Sequence, residues 1–141
     1  EIASCLVGSE MCIRDRYLTE PLPEGWKAFR VSGPLFFAAA DRVFGELSVK
    51  LKQQQGAILV MDAVTLMDAG GLSAFTKLVS LAEKQGTHLL VTDLTFQPLK
   101  TLAKAKVQPL PGILSFYSTL TDALNSLPGQ NIDPQGEAVG L

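Results

Sequence analysis

The feature that most constrains the fold of this chain is a short, uninterrupted apolar run, AILVM, at residues 57–61. A run without polar residues is typical of a strand that is covered on both faces by other layers of the protein. Strands of this kind usually belong to parallel sheets, because the crossover helices that join parallel strands cover both sides. The run therefore predicts a buried strand inside an α/β fold.

Strand-like and helix-like segments alternate along the rest of the chain, with short connections between them. The predicted strands are Trp26–Ser32, residues 57–61, residues 87–92 and, at an edge of the sheet, residues 113–117. This alternation predicts an α/β fold, with a mainly parallel sheet of four to five strands and about four helices packed against it.

The first two predicted helices follow from apolar residues at helical spacing. The first helix precedes Gly56, which is expected to end it, and its apolar residues are Ala40, Val43, Phe44, Leu47 and Leu51. The second helix has one apolar stripe, formed by Leu72, Phe75, Leu78, Val79 and Ala82. Gly86 follows this stripe and is expected to cap the helix at its carboxyl end.

Two shorter helices are predicted nearer the carboxyl end. The third opens near Thr95 and Phe96, with Pro98 in its first turn, and is expected to direct Leu99, Leu102 and Ala103 inward. The fourth begins after Thr119, which forms a capping-box pattern with Asp122. Its apolar residues are Leu120, Ala123, Leu124 and Leu127.

The amino-terminal segment does not follow any structural period. Residues 6–16, LVGSEMCIRDR, back-translate in one register into a sequence that resembles a transposase-type sequencing-library adapter. Residues 1–16 are therefore interpreted as an adapter-derived artefact, and the natural sequence before Tyr17 as lost. We expect a linker at residues 17–25, one domain at residues 26–127 and a disordered tail at residues 128–141.

Composition excludes several classes of function. The chain is 47% hydrophobic and has a formal net charge of -2, which does not favour a nucleic-acid partner. Both cysteines, Cys5 and Cys12, lie in the adapter-like segment, and His88 is the single histidine. These counts argue against a thiolate or multi-histidine metal site, and His88 is expected to be a strand residue. No cofactor and no catalytic residue is predicted.

One stretch is a candidate for function, MDAVTLMDAGGLSAF at residues 61–75. It places Asp62 at the end of the buried strand, and Asp68, Gly70, Gly71 and Ser73 at the start of the second helix. Ligands and partners favour this position in open α/β sheets. Asp68 is expected to cap the helix, and the glycines to allow close approach and to leave amides open to a small anion. A well-capped, tight turn without a ligand explains the same residues.

A second candidate is a small basic patch on the third helix. Lys100 and Lys104 are four residues apart, and Lys106 follows them. In an acidic chain these lysines indicate a docking face for an acidic protein partner. A solvated helix face with favourable charges near its carboxyl end is the alternative.

Three segments together resemble one known family. FRVSGPLFFAAADRVFGEL, ILVMDAVTLMDAGGLSAF and LTFQPLKTLAKAKV are similar to the STAS domain at the carboxyl end of bacterial SulP-type anion transporters. The FQPL segment is most similar to the dicarboxylate branch, and sulfate and bicarbonate are the alternative transported anions. The resemblance implies a mainly parallel sheet with packed helices.

The resemblance also implies a function. Such a domain would lie at the cytoplasmic face of the inner membrane, with the transmembrane unit of the same transporter as its partner, and would oligomerise through the full-length protein. It would regulate or assemble the transporter and would not be an enzyme. Two alternatives remain: a stand-alone antagonist of an anti-sigma factor, and a nucleotide-binding module.

The antagonist alternative depends on a phosphorylation site. Related antagonists carry a phosphorylatable serine or threonine in a D-S-S-G-like motif before the second helix. Aligning that motif with residues 68–71 puts Gly70 at the acceptor position. Glycine has no hydroxyl, so no phosphosite is predicted here.

Overall fold

A computed structural model of the protein describes residues 22–127. The predicted adapter-derived segment (1–16), residues 17–21 of the predicted linker and the predicted tail (128–141) lie outside the described residues. Between residues 22 and 127 four strands alternate with four helices: β1 (Trp26–Ser32), α1 (Phe37–Lys50), β2 (Gly56–Ala63), α2 (Ala69–Gln85), β3 (His88–Thr92), α3 (Phe96–Lys104), β4 (Leu114–Tyr117) and α4 (Leu120–Asn125).

The four strands form one parallel sheet in the order β1-β2-β3-β4. Trp26 is aligned with Gly56, Gly56 with His88, and Leu89 with Leu114. The α/β class, the parallel sheet and the edge position of β4 are therefore confirmed. All four strands point the same way, so the loops that follow them meet at one edge, which we call the carboxyl edge.

The sheet divides the apolar core into two clusters. Residues 56–61 of β2 are all buried. Leu59 faces the larger cluster, which includes apolar residues of α1 and α2, whereas Ile58 faces the smaller cluster, which includes those of α4. Because both faces of β2 are covered, a polar side chain anywhere in the AILVM run would lose its water. This accounts for the absence of alternation in the run.

The larger cluster is centred on an aromatic pair between α1 and α2. Phe44 and Phe75 lie edge to face, with ring centroids 6.0 Å apart and an angle of 65° between the rings. This is a favourable aromatic geometry. Phe75 is completely buried. The two helices therefore pack on the sheet as one layer.

The helix ends follow the predicted capping residues, with one correction. Asp68 caps α2, Gly86 follows it in the left-handed conformation (φ 76°), and the Thr119 side chain accepts a hydrogen bond from the Asp122 amide. The predicted end of the first helix at Gly56 is wrong, because α1 ends at Lys50. The backbone then turns through Gln53 (φ 67°), and Gly56 already belongs to β2.

The predicted inward face of α3 is also wrong in part. Leu102 is buried as expected, but Leu99 is 51% exposed and Ala103 is exposed. Pro98 is buried with Leu102 instead. The apolar residues of this short helix fit two different faces, and hydrogen bonds between the Gln97 side chain and the Met67 backbone select the face that contains Pro98 and Leu102.

Candidate functional site

The candidate site is built at the carboxyl edge around the segment that follows β2, residues 64–68, which we call the central loop. On one side the Leu35 amide donates to the Leu66 carbonyl at 2.8 Å, and Leu35 and Met67 form a parallel bridge. On the other side the Thr95 hydroxyl donates to the Val64 carbonyl at 2.7 Å. The loops after β1, β2 and β3 are thus joined into one surface.

Asp68 ends the central loop and caps α2. Its Oδ1 accepts a hydrogen bond from the Gly71 amide at 2.8 Å, which satisfies one of the unpaired donors at the start of the helix. The predicted cap is confirmed. Because the Gly71 amide is already paired, an anion at this position would have to compete with the carboxylate of Asp68.

Gly71 allows the close approach that the sequence predicts. It is buried, and a Cβ placed on it would collide with the Leu35 carbonyl oxygen and lie 2.9 Å from Met67 Cγ. The first turn of α2 therefore rests directly on the loop after β1. The packing of the backbone is a sufficient reason for glycine at this position.

Gly70 and Ser73 lie beside this contact, in the first two turns of α2. Gly70 is half-buried, and Ser73 is exposed. The carbonyl of Ser73 accepts from the Thr76 hydroxyl at 2.9 Å. Gly70, which the resemblance to the antagonists would align with their phosphate acceptor, is thus half-buried in the turn and has no side-chain oxygen. Asp68 and Ser73 are the exposed polar side chains that this turn presents.

Asp62 lies on the other face of the sheet from α2. Its carboxylate pairs with the Arg30 guanidinium through two contacts, of 2.8 and 3.3 Å, which join β1 to β2. Partly exposed pairs of this kind contribute only about 0 to 1 kcal/mol. Asp62 also lines a cleft of about 200 Å³ beside α4, together with Asp93, Thr119 and Thr121. The structure therefore does not bring Asp62 together with Asp68.

The three candidate lysines are exposed on and after α3. The Nζ of Lys100 lies 5.8 Å from the centroid of the Phe96 ring, within the range of a cation–π contact. Lys104 is one turn further along the helix, and Lys106 follows with a left-handed backbone (φ 60°). Within residues 22–127 no three His, Cys, Asp or Glu side chains are grouped so that they could hold a metal ion.

Gln97 is a structural residue of this site that the sequence does not indicate. The Met67 amide donates to its Oε1 at 2.8 Å, and its Nε2 donates to the Met67 carbonyl at 3.3 Å and to the Thr101 hydroxyl at 3.0 Å. The Thr101 hydroxyl in turn donates to the same Met67 carbonyl at 3.2 Å. The side-chain amide of Gln97 thus pairs with the N–H and the C=O of Met67, as the backbone of a neighbouring strand would. Its partner is 30 residues away, so no local pattern could have identified it.

Replacing Gln97 by alanine is expected to lower the free energy of unfolding by about 1 to 2 kcal/mol, because the amide of the buried Met67 loses its partner and its carbonyl keeps only the Thr101 hydroxyl. Urea unfolding followed by circular dichroism measures this change. The exposed Gln108 provides the control, since Gln108→Ala should change stability by less than about 0.5 kcal/mol. Equal effects of the two substitutions would contradict the role given to Gln97.

His88 is a strand residue, as predicted, and lies at the start of β3. Its Nε2 is 2.9 Å from the Ser115 hydroxyl on β4, and the Trp26 ring meets it edge-on with centroids 6.1 Å apart. Burial lowers the pKa of His88 below its ordinary value of 6.5, because desolvation disfavours the charged ring. The contact between His88 and Ser115 joins two strands. It differs from a catalytic serine and histidine, in which a third polar group orients the histidine, because here the ring of His88 meets Trp26.

The lowered pKa of His88 predicts that acid destabilises the fold. The unfolded chain binds a proton on this ring first, near its ordinary value of 6.5, so stability is full above that pH and falls as the pH drops toward the folded-state pKa. We expect the Tm to fall between about pH 7.5 and about pH 5.5, and to fall less in His88→Gln. Gln108→His, which adds an exposed histidine, should keep the wild-type drop. An equal drop in His88→Gln would contradict this account.

Known proteins share the sequence pattern of this domain. A family model of the STAS domain matches residues 19–123. The chain belongs to the STAS domain family. The match includes all the strands and the carboxyl edge, and it agrees with the resemblance of the three sequence segments. No curated protein sequence matches this STAS domain significantly.

Solved structures support the same family. A sulfate transporter family protein from Wolinella succinogenes is 26% identical, with a TM-score of 0.63, and the match covers 80% of this chain and 93% of that one. The STAS domain of a SulP transporter from Vibrio cholerae is 23% identical with a TM-score of 0.57, covering 75% and 86%. At the latter identity the likeness shows the fold.

Two further structures place the fold in different contexts. Murine solute carrier 26 family member A9, an anion transporter, is 20% identical with a TM-score of 0.64; the match covers 78% of this chain but only 19% of the transporter. An anti-sigma factor antagonist described in Thermotoga maritima is 10% identical with a TM-score of 0.58, covering 76% and 91%. These likenesses show the STAS fold alone.

Proposed function

We propose that this STAS domain is the regulatory and interaction domain of a SulP-type anion transporter and that it has no catalytic role. The observation that carries the proposal is the similarity to the sulfate transporter family protein of Wolinella succinogenes, at 26% identity over nearly the whole of that chain. In this proposal the domain lies at the cytoplasmic face of the inner membrane, beside the transmembrane unit of its own protein. Dicarboxylate or sulfate is the proposed anion.

The geometry of the carboxyl edge supports a docking role. Hydrogen bonds with Leu35, Thr95 and Gln97 hold the central loop on both sides, so the surface beside it is pre-organised. A pre-organised surface loses less conformational entropy when a partner binds. Asp68 and Ser73 provide the exposed polar groups of this surface. We propose that the transmembrane unit docks at the start of α2, on Asp68 and Ser73.

The antagonist alternative has less support from the site. An antagonist that is switched by a kinase needs a hydroxyl at the turn before α2, and this chain has Gly70 there. The similarity to the antagonist described in Thermotoga maritima is 10% in sequence and concerns the fold. Nucleotide binding at the start of α2 is also less supported, because Asp68 already occupies the Gly71 amide and places a carboxylate there.

The test of the proposal is the gene upstream of the codon for Tyr17. A SulP-type transporter requires roughly ten hydrophobic spans of about 20 residues each, in frame with this domain. We expect to find them. A start codon close to Tyr17 with no such spans would contradict the transporter proposal and favour the stand-alone antagonist.

A further inference from the structure

The carboxyl edge carries an unusual concentration of exposed apolar side chains. Among the described side chains of residues 22–127, that of residue 37 excepted, six large apolar side chains are exposed, and four of them belong to segments that meet at or follow the carboxyl edge: Phe36, Leu66, Phe96 and Leu99. Phe96 is 76% exposed, the most of the six. Single exposed apolar residues need no explanation, but a group at one place marks an interaction surface.

Backbone bridges and hydrogen bonds hold the three segments that carry these side chains next to one another. Phe36 and Leu66 are next to the bridge between Leu35 and Met67. Phe96 precedes Gln97, whose side chain bonds to the same Met67 backbone, and Leu99 follows one turn later on α3. The apolar group is therefore held in place by the hydrogen bonds of the central loop.

A positive charge accompanies the apolar group. Residues 94–121 contain Lys100, Lys104 and Lys106 and no aspartate or glutamate, although the whole chain has a net charge of -2. Lys100 reaches over the Phe96 ring, so charge and apolar surface are in contact. We call the exposed side of α3, formed by Phe96, Leu99, Lys100 and Lys104, the basic apolar face; Leu66 lies two residues from the exposed Asp68, and neither it nor Phe36 is counted in this face.

The side of α3 that faces the domain already anchors the helix, so folding does not require the basic apolar face. Pro98 and Leu102 are buried against the domain, and Gln97 and Thr101 bond to the central loop. Phe96 and Leu99 remain in water although the helix is already anchored. A short helix with exposed aromatic, leucine and lysine side chains and no acidic residue has the composition of an interfacial membrane helix.

We propose that the basic apolar face docks on an anionic phospholipid surface. Flexible lysines attract the acidic headgroups while Phe96 and Leu99 insert at the boundary with the acyl chains. A protein partner fits less well, since lysine is depleted in the cores of protein interfaces.

The inference rests on the proposed function, because a domain of a membrane transporter is held within reach of the bilayer. It adds a contact that the transporter proposal does not require. Docking would fix the orientation of α3 relative to the membrane and would leave the cleft beside α4 at the opposite face of the sheet accessible. In this proposal α3 is the element whose binding depends on the content of anionic lipid in the membrane.

Co-sedimentation of the 141-residue chain with lipid vesicles tests the inference. We expect at least about five-fold more binding to vesicles that contain phosphatidylglycerol than to phosphatidylcholine alone, and loss of this excess in high salt. Phe96→Ser and the double variant Lys100→Gln/Lys104→Gln should each reduce binding about five-fold, because one removes insertion and the other attraction. Circular dichroism verifies that both variants remain folded.

Matched controls come from the other helices. Val49→Ser removes an apolar side chain that is 63% exposed on α1, and Lys50→Gln/Lys84→Gln removes two exposed lysines from α1 and α2. Neither should change binding. Equal binding to both kinds of vesicle, no binding, or equal losses in the controls would overturn the inference. Retention on polyglutamate without vesicle binding would also overturn it and would assign the face to an acidic protein.

The two proposals fail in different ways. Vesicle binding depends on this domain alone, whereas the transporter proposal depends on membrane spans encoded upstream. If those spans are present and the vesicles are not bound, the docking inference fails and the proposed function stands. If the vesicles are bound and the spans are absent, the proposed function fails.

Discussion

Gly71→Ala is expected to lower the free energy of unfolding by about 2 kcal/mol, because the new methyl group collides with the Leu35 carbonyl oxygen and crowds Met67. The loss should appear even though alanine favours a helix over glycine by about 1 kcal/mol. The obstacle includes backbone atoms of the loop after β1, which cannot rotate away as a long side chain can. Urea unfolding with circular dichroism detection measures the change.

Gly45→Ala is the matched control for this prediction. Gly45 also lies inside a helix, but a Cβ on it would meet nothing within 4 Å beyond its chain neighbours and the backbone of its own helix. Here the higher helix propensity of alanine should stabilise the protein by about 0.5 to 1 kcal/mol. Opposite signs for the two substitutions would confirm the close approach at Gly71. A stabilising Gly71→Ala would disprove it and would reopen the turn as a site for a ligand.

Phe75→Ala is expected to have the larger effect, a loss of about 3 to 5 kcal/mol, because it removes a buried ring and leaves a cavity. Phe75 is completely buried on α2 and meets Phe44 edge to face. The layer formed by α1 and α2 would lose its central contact. A substitution of this size should unfold a marginally stable domain at a much lower urea concentration.

Phe96→Ala is the control for Phe75→Ala, because it removes the same side chain at an exposed position. The Phe96 ring is 76% exposed, so its removal should change the free energy of unfolding by less than about 0.5 kcal/mol. A large loss for Phe96→Ala would mean that this ring is part of the core, and would remove the basis for membrane docking through α3. A small loss for Phe75→Ala would contradict the packing of α1 on α2.

The main elements of the candidate site could be predicted from the sequence because they depend on near neighbours. Asp68 caps α2 by bonding to an amide three residues away, and Gly86 ends the same helix with a left-handed backbone. Apolar spacing likewise identified Leu102 as a buried residue of α3. It could not distinguish the buried side from the exposed side at Leu99, because that choice depends on a segment about 30 residues earlier in the chain.

The amino-acid sequence by itself determined the parallel α/β sheet and the caps at Asp68, Gly86 and Thr119, because periodicity and capping act over a few residues, and the resemblance of three segments indicated the STAS family. Only the tertiary structure decided that Gln97 supports the central loop, that Gly71 rests on Leu35, and that Phe96 and Leu99 share one exposed face with Lys100. These features join segments far apart along the chain. Their partners are chosen by how the strands align in the sheet, which no local pattern records.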